Sequence, residues 1–467
     1  MCRKIYFAIL VVSVASGFQH GYHFAIVNNP SEVMQEWIKE LKIKQERINP
    51  SHAGVDLIWA VVVAIFSVGG TVGALMIGIF ADNFGRKGSL KWNALLVLVA
   101  AAITLYSKRA ASYKVLLFGR FLAGVTTGLT GGLCQMYSVE ISPDEIRGAL
   151  SGVYQVAISF SAFVATIAGI LLSEKDTWHY MFVIPVFPAI FQLIALSFCP
   201  ESPKFLLITQ GKDAAAEKAL KWLREKDDVE EELDLLKEED NLVKELRGTS
   251  LTRILTNPLM TNALICCLIL NIAQQMCGIK TIIQYSTLIF EEMKLGRRVS
   301  FYITTGMNLP GVISSIIFCF IIDKYGRRKM ALISLIGLTV ITALIFISLF
   351  LARRQIVPDM KYVTILSYFV FNSFYCIGIG PLAWFIPAEM FYHTPRTIAV
   401  CLSVAANSIS SFIIGQAFYV LKNEIGVYTT LIFIVLDVFS LLYIHQRLPE
   451  TNKLSAIDVI NMYNIQQ

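Results

Sequence analysis

Five side chains that can bind an uncharged, hydroxyl-rich ligand lie inside long apolar stretches of the chain. They are three glutamines, an asparagine and a tryptophan: Gln155, Gln274, Gln275, Asn407 and Trp384. Amide groups both donate hydrogen bonds to hydroxyls and accept them, and an aromatic ring covers an apolar ligand face. Gly278 and Gly378 interrupt two of these stretches, as expected for gating helices. The set therefore predicts a neutral polar binding site between helices.

Lys280 is a sixth candidate, two residues beyond Gly278. Its ammonium can donate to ligand hydroxyls, it can select an anionic ligand such as an organic acid, or it can be buried in the neutral form. Asp437 is another charge inside an apolar stretch. The sequence does not show whether the two lie together, so the three interpretations of Lys280 stay open.

A second set of residues has the types and spacing of an ion-pair switch. Asp82–Lys87 recurs as Asp323–Arg328, and each copy has a glycine before two basic residues. Glycine allows a tight turn there, and the basic residues can pair with glutamates at the same membrane face. Ion pairs that form in one state and break in another suit a moving transporter. The predicted gating network comprises Arg86, Arg120, Glu140, Arg147, Glu201, Arg327, Arg328, Glu389, Arg396 and Glu450.

Arg120 differs from the rest of this network, because it lies inside or at the edge of an apolar stretch. A charge in mid-membrane is unfavourable. We therefore expect Arg120 to pair with a loop carboxylate at the cytoplasmic edge of the membrane.

The elements that must position these residues are membrane-spanning helices. The chain is 55% hydrophobic and 16% charged, with a mean hydropathy of +0.60, whereas soluble domains average about 25% charged residues. Continuous apolar runs of this length predict helices rather than barrel strands. We predict twelve spans, at 5–27, 56–81, 90–106, 113–138, 148–172, 179–199, 258–290, 300–322, 330–351, 362–391, 397–421 and 427–447. The first is predicted to be a transmembrane helix rather than a cleaved signal peptide.

The repeated motifs predict an internal duplication. The glycine–basic loops, the Glu–Arg pairs and the closing Pro-Glu motifs recur in the same order at nearly equal separations. We predict an all-α membrane protein with two pseudo-symmetric six-helix bundles at 1–199 and 258–448. An amphipathic helical linker at 200–257 joins the bundles, and 449–467 forms a short tail.

Several functional classes are disfavoured by the composition and motifs. The net charge of +6 carries no basic stripe, so no nucleic-acid partner is expected. The nine cysteines lie in or beside apolar runs, which argues against a disulfide framework and against a metal site. No nucleophile motif or paired carboxylates point to an enzyme, and no cofactor is expected.

At these motifs the chain resembles the sugar porter branch of the major facilitator superfamily, and within it the animal facilitative glucose transporters. The resemblance runs nearly end to end and rests on Gly85-Arg86-Lys87, Gly119-Arg120-Phe121, Glu140 with Arg147, Pro200-Glu201-Ser202, Gln274-Gln275, Gly326-Arg327-Arg328, Trp384-Phe385, Glu389 with Arg396, and Pro449-Glu450-Thr451. It implies the major facilitator fold and a hexose-facilitating uniporter that works as a monomer in the plasma membrane. Both termini and the linker would be cytoplasmic, and Gln155, Gln274, Gln275, Trp384 and Asn407 would line the sugar site.

Departures from the family pattern leave the cargo open. Lys280 stands where the family usually has a sugar-binding asparagine, and Cys376 replaces a glutamate. Glucose and fructose are both candidates. An organic anion such as urate and a non-transporting sugar receptor are the alternatives. His23 stands where proton-coupled relatives carry an aspartate, which favours uncoupled transport.

Overall fold

The computed structural model describes residues 3–46, 52–245, 251–357, 359–454, 459 and 462. Within these ranges the regular structure is helical, and no strand is present. The first half contains α1 Arg3–Ala25, α2 Ser31–Leu41, α3 His52–Arg109, α4 Tyr113–Ile141, α5 Arg147–Leu172 and α6 Val186–Ala195. A 3₁₀ turn, Trp178–Val183, leads into α6. The all-helical membrane fold predicted from the sequence is confirmed.

Helix α3 consists of two helical segments that meet at a kink, and each segment contains one of the predicted spans. Its 58 residues would extend well beyond a bilayer if straight. The run turns at Gly85, whose φ of 73° lies in the region that favours glycine. Eleven stretches of the described chain are long and apolar enough to cross a membrane, and the one from Gly54 to Arg109 covers both predicted spans 56–81 and 90–106.

The second half repeats this plan with more interruptions. It contains α10 Pro258–Met276, α11 Ile279–Glu292, α12 Arg297–Gly306, α13 Asn308–Tyr325, α14 Arg327–Arg353, α15 Met360–Cys376, α16 Ile379–Met390, α17 His393–Ile425 and α18 Thr429–Arg447. Gly278 separates α10 from α11 with a φ of +88°, and Gly378 separates α15 from α16. The helix breaks predicted at these two glycines are confirmed.

The linker is helical, as predicted, and packs against one end of the bundle. It contains α7 Asp213–Arg224, α8 Glu230–Glu245 and α9 Leu251–Thr256. Leu220, Leu233 and Leu236 form a small buried cluster on the inner sides of α7 and α8. The start of α1 lies at the same end, because the Arg3 backbone N–H donates to Glu225 at 2.6 Å. We call this end the linker face, and the opposite end, with α2 and the start of α12, the α2 face.

The two halves meet along pairs of long helices. Helix α3 packs against α17, and α5 packs against α13. The first half thereby contributes α1 and α5 to the middle of the bundle, and the second contributes the broken helices α10–α11 and α15–α16. The residues that could do chemistry lie along this seam.

Candidate functional site

A small cavity lies at the centre of the seam and is lined by both halves. Its volume is about 40 Å³, enough for about one or two water molecules. From the first half, α1 and α5 contribute His20, Phe24, Gln155, Ile158, Ser159 and Ala162. From the second half, α10, α11, α13, α15 and α16 contribute Gln275, Ile279, Ile283, Asn308, Asn372, Tyr375, Cys376 and Trp384. No Asp, Glu, Lys or Arg is among these lining residues.

Two buried amide oxygens of the cavity lining have no hydrogen-bond partner. They are Oε1 of Gln155 and Oε1 of Gln275, one from each half. The amide nitrogen of Gln155 makes only long contacts, 3.4 Å to Ser159 and 3.8 Å to the Cys376 sulfur. Buried polar groups are normally hydrogen-bonded, so two free acceptors facing one cavity indicate a site for a ligand with hydroxyl donors.

An amide network behind the cavity fixes the Gln275 side chain. Gln275 donates to Asn407 Oδ1 at 3.1 Å, and Asn407 donates to Gln274 and to the Asn271 carbonyl. Gln274 donates to the Gly380 carbonyl, where α16 begins. Gln274 and Asn407 were predicted to line the site, but neither is part of the cavity wall. They hold α10, α16 and α17 together around Gln275.

Trp384 forms one aromatic wall of the cavity. Its ring centroid lies 4.8 Å from that of His20, nearly perpendicular to it, and 5.8 Å from that of Tyr154. The His20 Nδ1 and Tyr154 hydroxyl are 3.0 Å apart. His20, Asn372 and Tyr375 also line the cavity but were not among the residues predicted from the sequence. Their signal was weak, because single polar residues in an apolar helix are equally common in helix–helix contacts.

Lys280 does not line the cavity. Its ammonium points between the helices, donates to Ser67 Oγ on α3 at 2.9 Å and to the Ser411 carbonyl on α17 at 2.8 Å. Gly415 makes room for it, since a Cβ there would lie 3.0 Å from the Lys280 Nζ. The expectation that Lys280 contacts the ligand therefore finds no support in this conformation. Its long side chain reaches past the cavity to the neighbouring half.

The first-half motif forms a buried ion pair at the linker face. Arg86 lies 2.9 Å from Glu140, and both side chains are fully buried. The backbone N–H groups of Arg86 and Lys87 each donate to Glu201 at 3.0 Å. The turn at Gly85 directs these two N–H groups toward the Glu201 carboxylate, so the glycine and the glutamate act as one unit.

The second-half motif repeats this geometry almost atom for atom. Arg327 lies 2.9 Å from Glu389, and its backbone N–H donates to Glu450 at 2.7 Å. Arg328 also donates its backbone N–H to Glu450. Gly326 has a φ of 87°, matching Gly85. The two sets of predicted gating residues are thus brought together within each half.

Contacts between the halves close the linker face. Arg396 of α17 donates to Glu140 of α4 at 3.3 Å. Asp323 of α13 accepts from the backbone N–H groups of Gly148 and Ala149 at the start of α5, at 3.1 and 2.8 Å. These N–H groups belong to a helix N-terminus, which favours a negative partner. Separation of the halves at this face must break all three contacts.

Arg120 was expected to pair with a carboxylate at the membrane edge, and this expectation is wrong. Its side chain is fully buried, donates to the His23 carbonyl at 3.1 Å and lies 4.7 Å from the centre of the Phe66 ring. Arg120 lies about two turns inside α4, so its side chain is surrounded by other helices and not by a loop. Arg147 is at the linker face, where its ion pair is with Asp144.

The linker adds charged groups to the same closure. Lys204 pairs with Glu239 at 2.6 Å, and Glu239 accepts from the His393 backbone N–H. Although burial opposes ionisation, Lys204 and Arg396 hold the pKa of Glu239 at about 2. Burial, aided by Arg86 and Arg396, lowers the pKa of His393 to about 3. His393 is therefore neutral beside a cluster of charges.

The α2 face is closed mainly by uncharged hydrogen bonds. Asn28, after α1, donates to the Ile283 carbonyl of α11 at 2.7 Å. Thr287 of α11 lies 3.4 Å from Asn29. One exposed ion pair, Arg297 with Glu32 at 2.6 Å, joins α12 to α2. With both faces closed, the central cavity is occluded.

Comparison with known proteins places this geometry in context. The family model described as Sugar (and other) transporter matches residues 8–463. The chain is 33% identical to the facilitated glucose transporter member 1 of solute carrier family 2 from Gallus gallus, over 94% of this chain and 89% of the relative. It is 35% identical to member 4 from Homo sapiens, over 94% and 87% of the two chains.

A solved structure shares the whole fold. The proton:xylose symporter XylE bound to 6-bromo-6-deoxy-D-glucose superposes with a TM-score of 0.87 and covers 100% of both chains at 20% identity. At this identity the likeness concerns the fold alone.

Proposed function

The chain belongs to the sugar porter family of the major facilitator superfamily, and we propose that it is a facilitative hexose uniporter working by alternating access. It is a multi-pass membrane transporter and not an enzyme. Glucose and fructose are the proposed cargoes. The relatives named above are glucose transporters, and the neutral polar cavity suits either sugar.

The observation that carries this proposal is the pair of unpaired amide oxygens of Gln155 and Gln275. They come from opposite halves and face one cavity, so a single ligand can hydrogen-bond both. The lining has no ionised side chain, which disfavours a charged cargo. A sugar supplies hydroxyl donors for the two oxygens, and its C–H face can pack on Trp384.

The size of the cavity indicates how the site must work. Ligand sites for small molecules usually occupy about 300–1,000 Å³, whereas this cavity holds about 40 Å³. A hexose therefore enters only after one face opens and the halves separate. The ion pairs of the linker face and the hydrogen bonds of the α2 face would break in turn. Bound cargo would lower the free energy of the occluded state relative to the open ones.

Absence of a carboxylate from α1 supports uncoupled transport. Residues 3–25 contain no Asp or Glu, and His23 occupies the position expected for a proton-coupling acid. We further propose that the linker face is cytoplasmic, that the transporter lies in the plasma membrane, and that the monomer is the functional unit. The organic-anion alternative rested on Lys280, whose ammonium is bound to Ser67 and Ser411 rather than directed into the cavity.

Uptake into proteoliposomes tests this proposal. We expect saturable uptake of labelled D-glucose or D-fructose, and no effect of a protonophore. Gln275→Ala should abolish specific uptake, because it removes a free acceptor and the support from Asn407. Gln210→Ala, at an exposed linker position, is the matched control and should transport normally. Binding without uptake would instead indicate a receptor, and uptake abolished by the protonophore would contradict uniport.

A further inference from the structure

Arg120 and Lys280 are two fully buried cations that lie beside each other in the membrane region. Arg120 contacts His23 on α1 and Phe66 on α3. Lys280 contacts the next residue along each of these helices. Its ammonium donates to Ser67 on α3 and lies 6.0 Å from the centre of the Phe24 ring on α1. Both cations thus contact adjacent residues of the same two helices, and the positive charge of Arg120 acts on Lys280.

The two cations have no counter-charge among the described residues. The hydrogen bonds of Arg120 and Lys280 within the described chain go to uncharged groups, and each side chain is at most 1% exposed. Arginine stays protonated in proteins, so at least one uncompensated charge is buried. Burial of an unpaired charge in the membrane is strongly unfavourable. Two like charges together add repulsion, which an anion would remove.

Unused hydrogen-bond donors mark where an anion would bind. The Nε and Nη2 groups of Arg120 are buried and have no partner, while its Nη1 donates to the His23 carbonyl. Nε and Nη2 form one edge of the guanidinium, the edge that binds planar oxyanions in a bidentate manner. The Nδ1 of His23 is also buried without a partner. The cluster therefore offers two unused donors on one guanidinium edge, and His23 Nδ1 adds a third in the tautomer that carries its proton.

A route to the cluster leads from the α2 face. A cavity of about 270 Å³ there is lined by Ala60 and Val63 of α3 and by Gln284 of α11. These residues lie one to two helical turns from Ser67 and Lys280. The bond between Lys280 and Ser67 joins the two halves, so opening of the α2 face must break it. That motion would connect the two cations with the cavity.

We propose that Arg120 and Lys280 form a binding site for a small monovalent anion, which enters from the α2-face cavity when that face opens. When the α2 face opens, the Lys280 ammonium loses its Ser67 partner. The anion compensates the positive charge of this ammonium and so stabilises the open state. The site is distinct from the central cavity and does not depend on which cargo the transporter carries. A chloride ion or a small carboxylate such as formate has the required charge and size.

Thermal unfolding of the purified full chain tests for the anion. Sodium chloride replaces sodium morpholinoethanesulfonate, whose anion is bulky, at constant pH and ionic strength. A ligand that binds only folded protein raises Tm in a saturable manner, and we expect a rise of about 2 °C. A stronger response to formate would indicate bidentate binding at Arg120, and a stronger response to chloride would indicate a halide site.

Variants separate a bound anion from a general salt effect. Lys280→Asn and Lys280→Gln should abolish the chloride response, while Arg354→Gln, at an exposed position, should keep it. In a Val63→Cys protein, chloride should speed alkylation by a neutral maleimide about threefold, because the open state becomes more populated. No response in the wild type, as expected if water fills the site, would overturn the proposal. Equal responses in wild type and both Lys280 variants would overturn it too.

Discussion

The linker face and the α2 face close the same cavity with different chemistry. At the linker face, charged side chains make the contacts between the halves: Arg396 bonds Glu140 across the seam, and Asp323 accepts from the backbone at the start of α5. At the α2 face, an amide and a hydroxyl make contacts across the seam, through Asn28 and Thr287. Deeper in the seam the Lys280 ammonium bonds the uncharged Ser67 hydroxyl, so no buried carboxylate is involved in these contacts. The Arg297–Glu32 ion pair, which also crosses the seam there, is about half exposed on both sides.

This difference implies unequal resistance to opening. Buried charges that lose a partner are left uncompensated in a medium of low dielectric constant. Neutral hydrogen bonds exchange more easily with water. We therefore expect the linker-face contacts to dominate the stability of the closed state, and the α2 face to open at lower free-energy cost.

Loss of the Glu140 charge should have the largest effect. Glu140→Gln leaves Arg86 buried without its counter-charge and weakens the contact with Arg396. Removal of one partner of a buried pair typically costs about 3–5 kcal/mol. Denaturation of the purified protein measures this loss. Glu145→Gln, at an exposed position in the loop that follows α4, is the control, and an equal loss in both variants would refute the importance of the buried pair.

Acidification should weaken the linker face through His393. Its folded pKa of about 3 lies below the ordinary value of 6.5, so the unfolded chain binds more protons between these values. The contribution of neutral His393 to the free energy of unfolding is fully present above pH 6.5. It falls as the pH decreases toward 3, by about 1.4 kcal/mol per pH unit. Unfolding measured from pH 7 to 5 should show a shallower slope for His393→Gln. His445→Gln, at an exposed position, is the control and should keep the wild-type slope. A wild-type slope in His393→Gln would show that His393 is not the group responsible.

Removal of an α2-face hydrogen bond should have a smaller effect. Asn28→Ala removes the hydrogen bonds from Asn28 to the Ile283 carbonyl and to Ser286 Oγ across the seam, which costs about 1–2 kcal/mol. Its contribution can be measured by denaturation beside Asn83→Ala, whose side chain bonds only within its own helix. A loss as large as that of Glu140→Gln would reverse the expected order of the two faces.

The exposed pair of the α2 face should matter least. Arg297→Gln removes its contact with Glu32, but surface ion pairs contribute about 0–1 kcal/mol and are screened by salt. We expect a change in stability under about 1 kcal/mol that vanishes at high salt. A loss of stability that persists in 1 M salt would show that this pair contributes substantially to closure of the α2 face.

The same contrast explains what could be predicted from the sequence. The linker-face network was predictable, because glycine, arginine and glutamate recur in both halves at matching spacing. The α2-face contacts were not, because Asn28 and Thr287 bind single groups and leave no repeated pattern. Gln155, Gln275 and Trp384 line the central cavity, whereas Gln274 and Asn407 lie behind it and hold Gln275 in place.

Long side chains set the other limit of prediction. Lys280 is close in sequence to Gln275, yet its ammonium extends away from the cavity to Ser67. Arg120 similarly bonds a backbone carbonyl rather than a carboxylate. The hydrogen-bond partner of a flexible cationic side chain depends on how several helices pack. Residue spacing along one helix does not determine that partner.

Alternate opening of the two faces is the central claim, and distances between spin labels test it most directly. One pair of cysteine substitutions at exposed positions, Glu145 and Lys324, reports on the linker face, and another, Lys175 and Arg354, reports on the α2 face. In the Glu140→Gln background we predict longer distances at the linker face and unchanged, short distances at the α2 face. Distances that lengthen at both faces together, or at neither, would contradict the account.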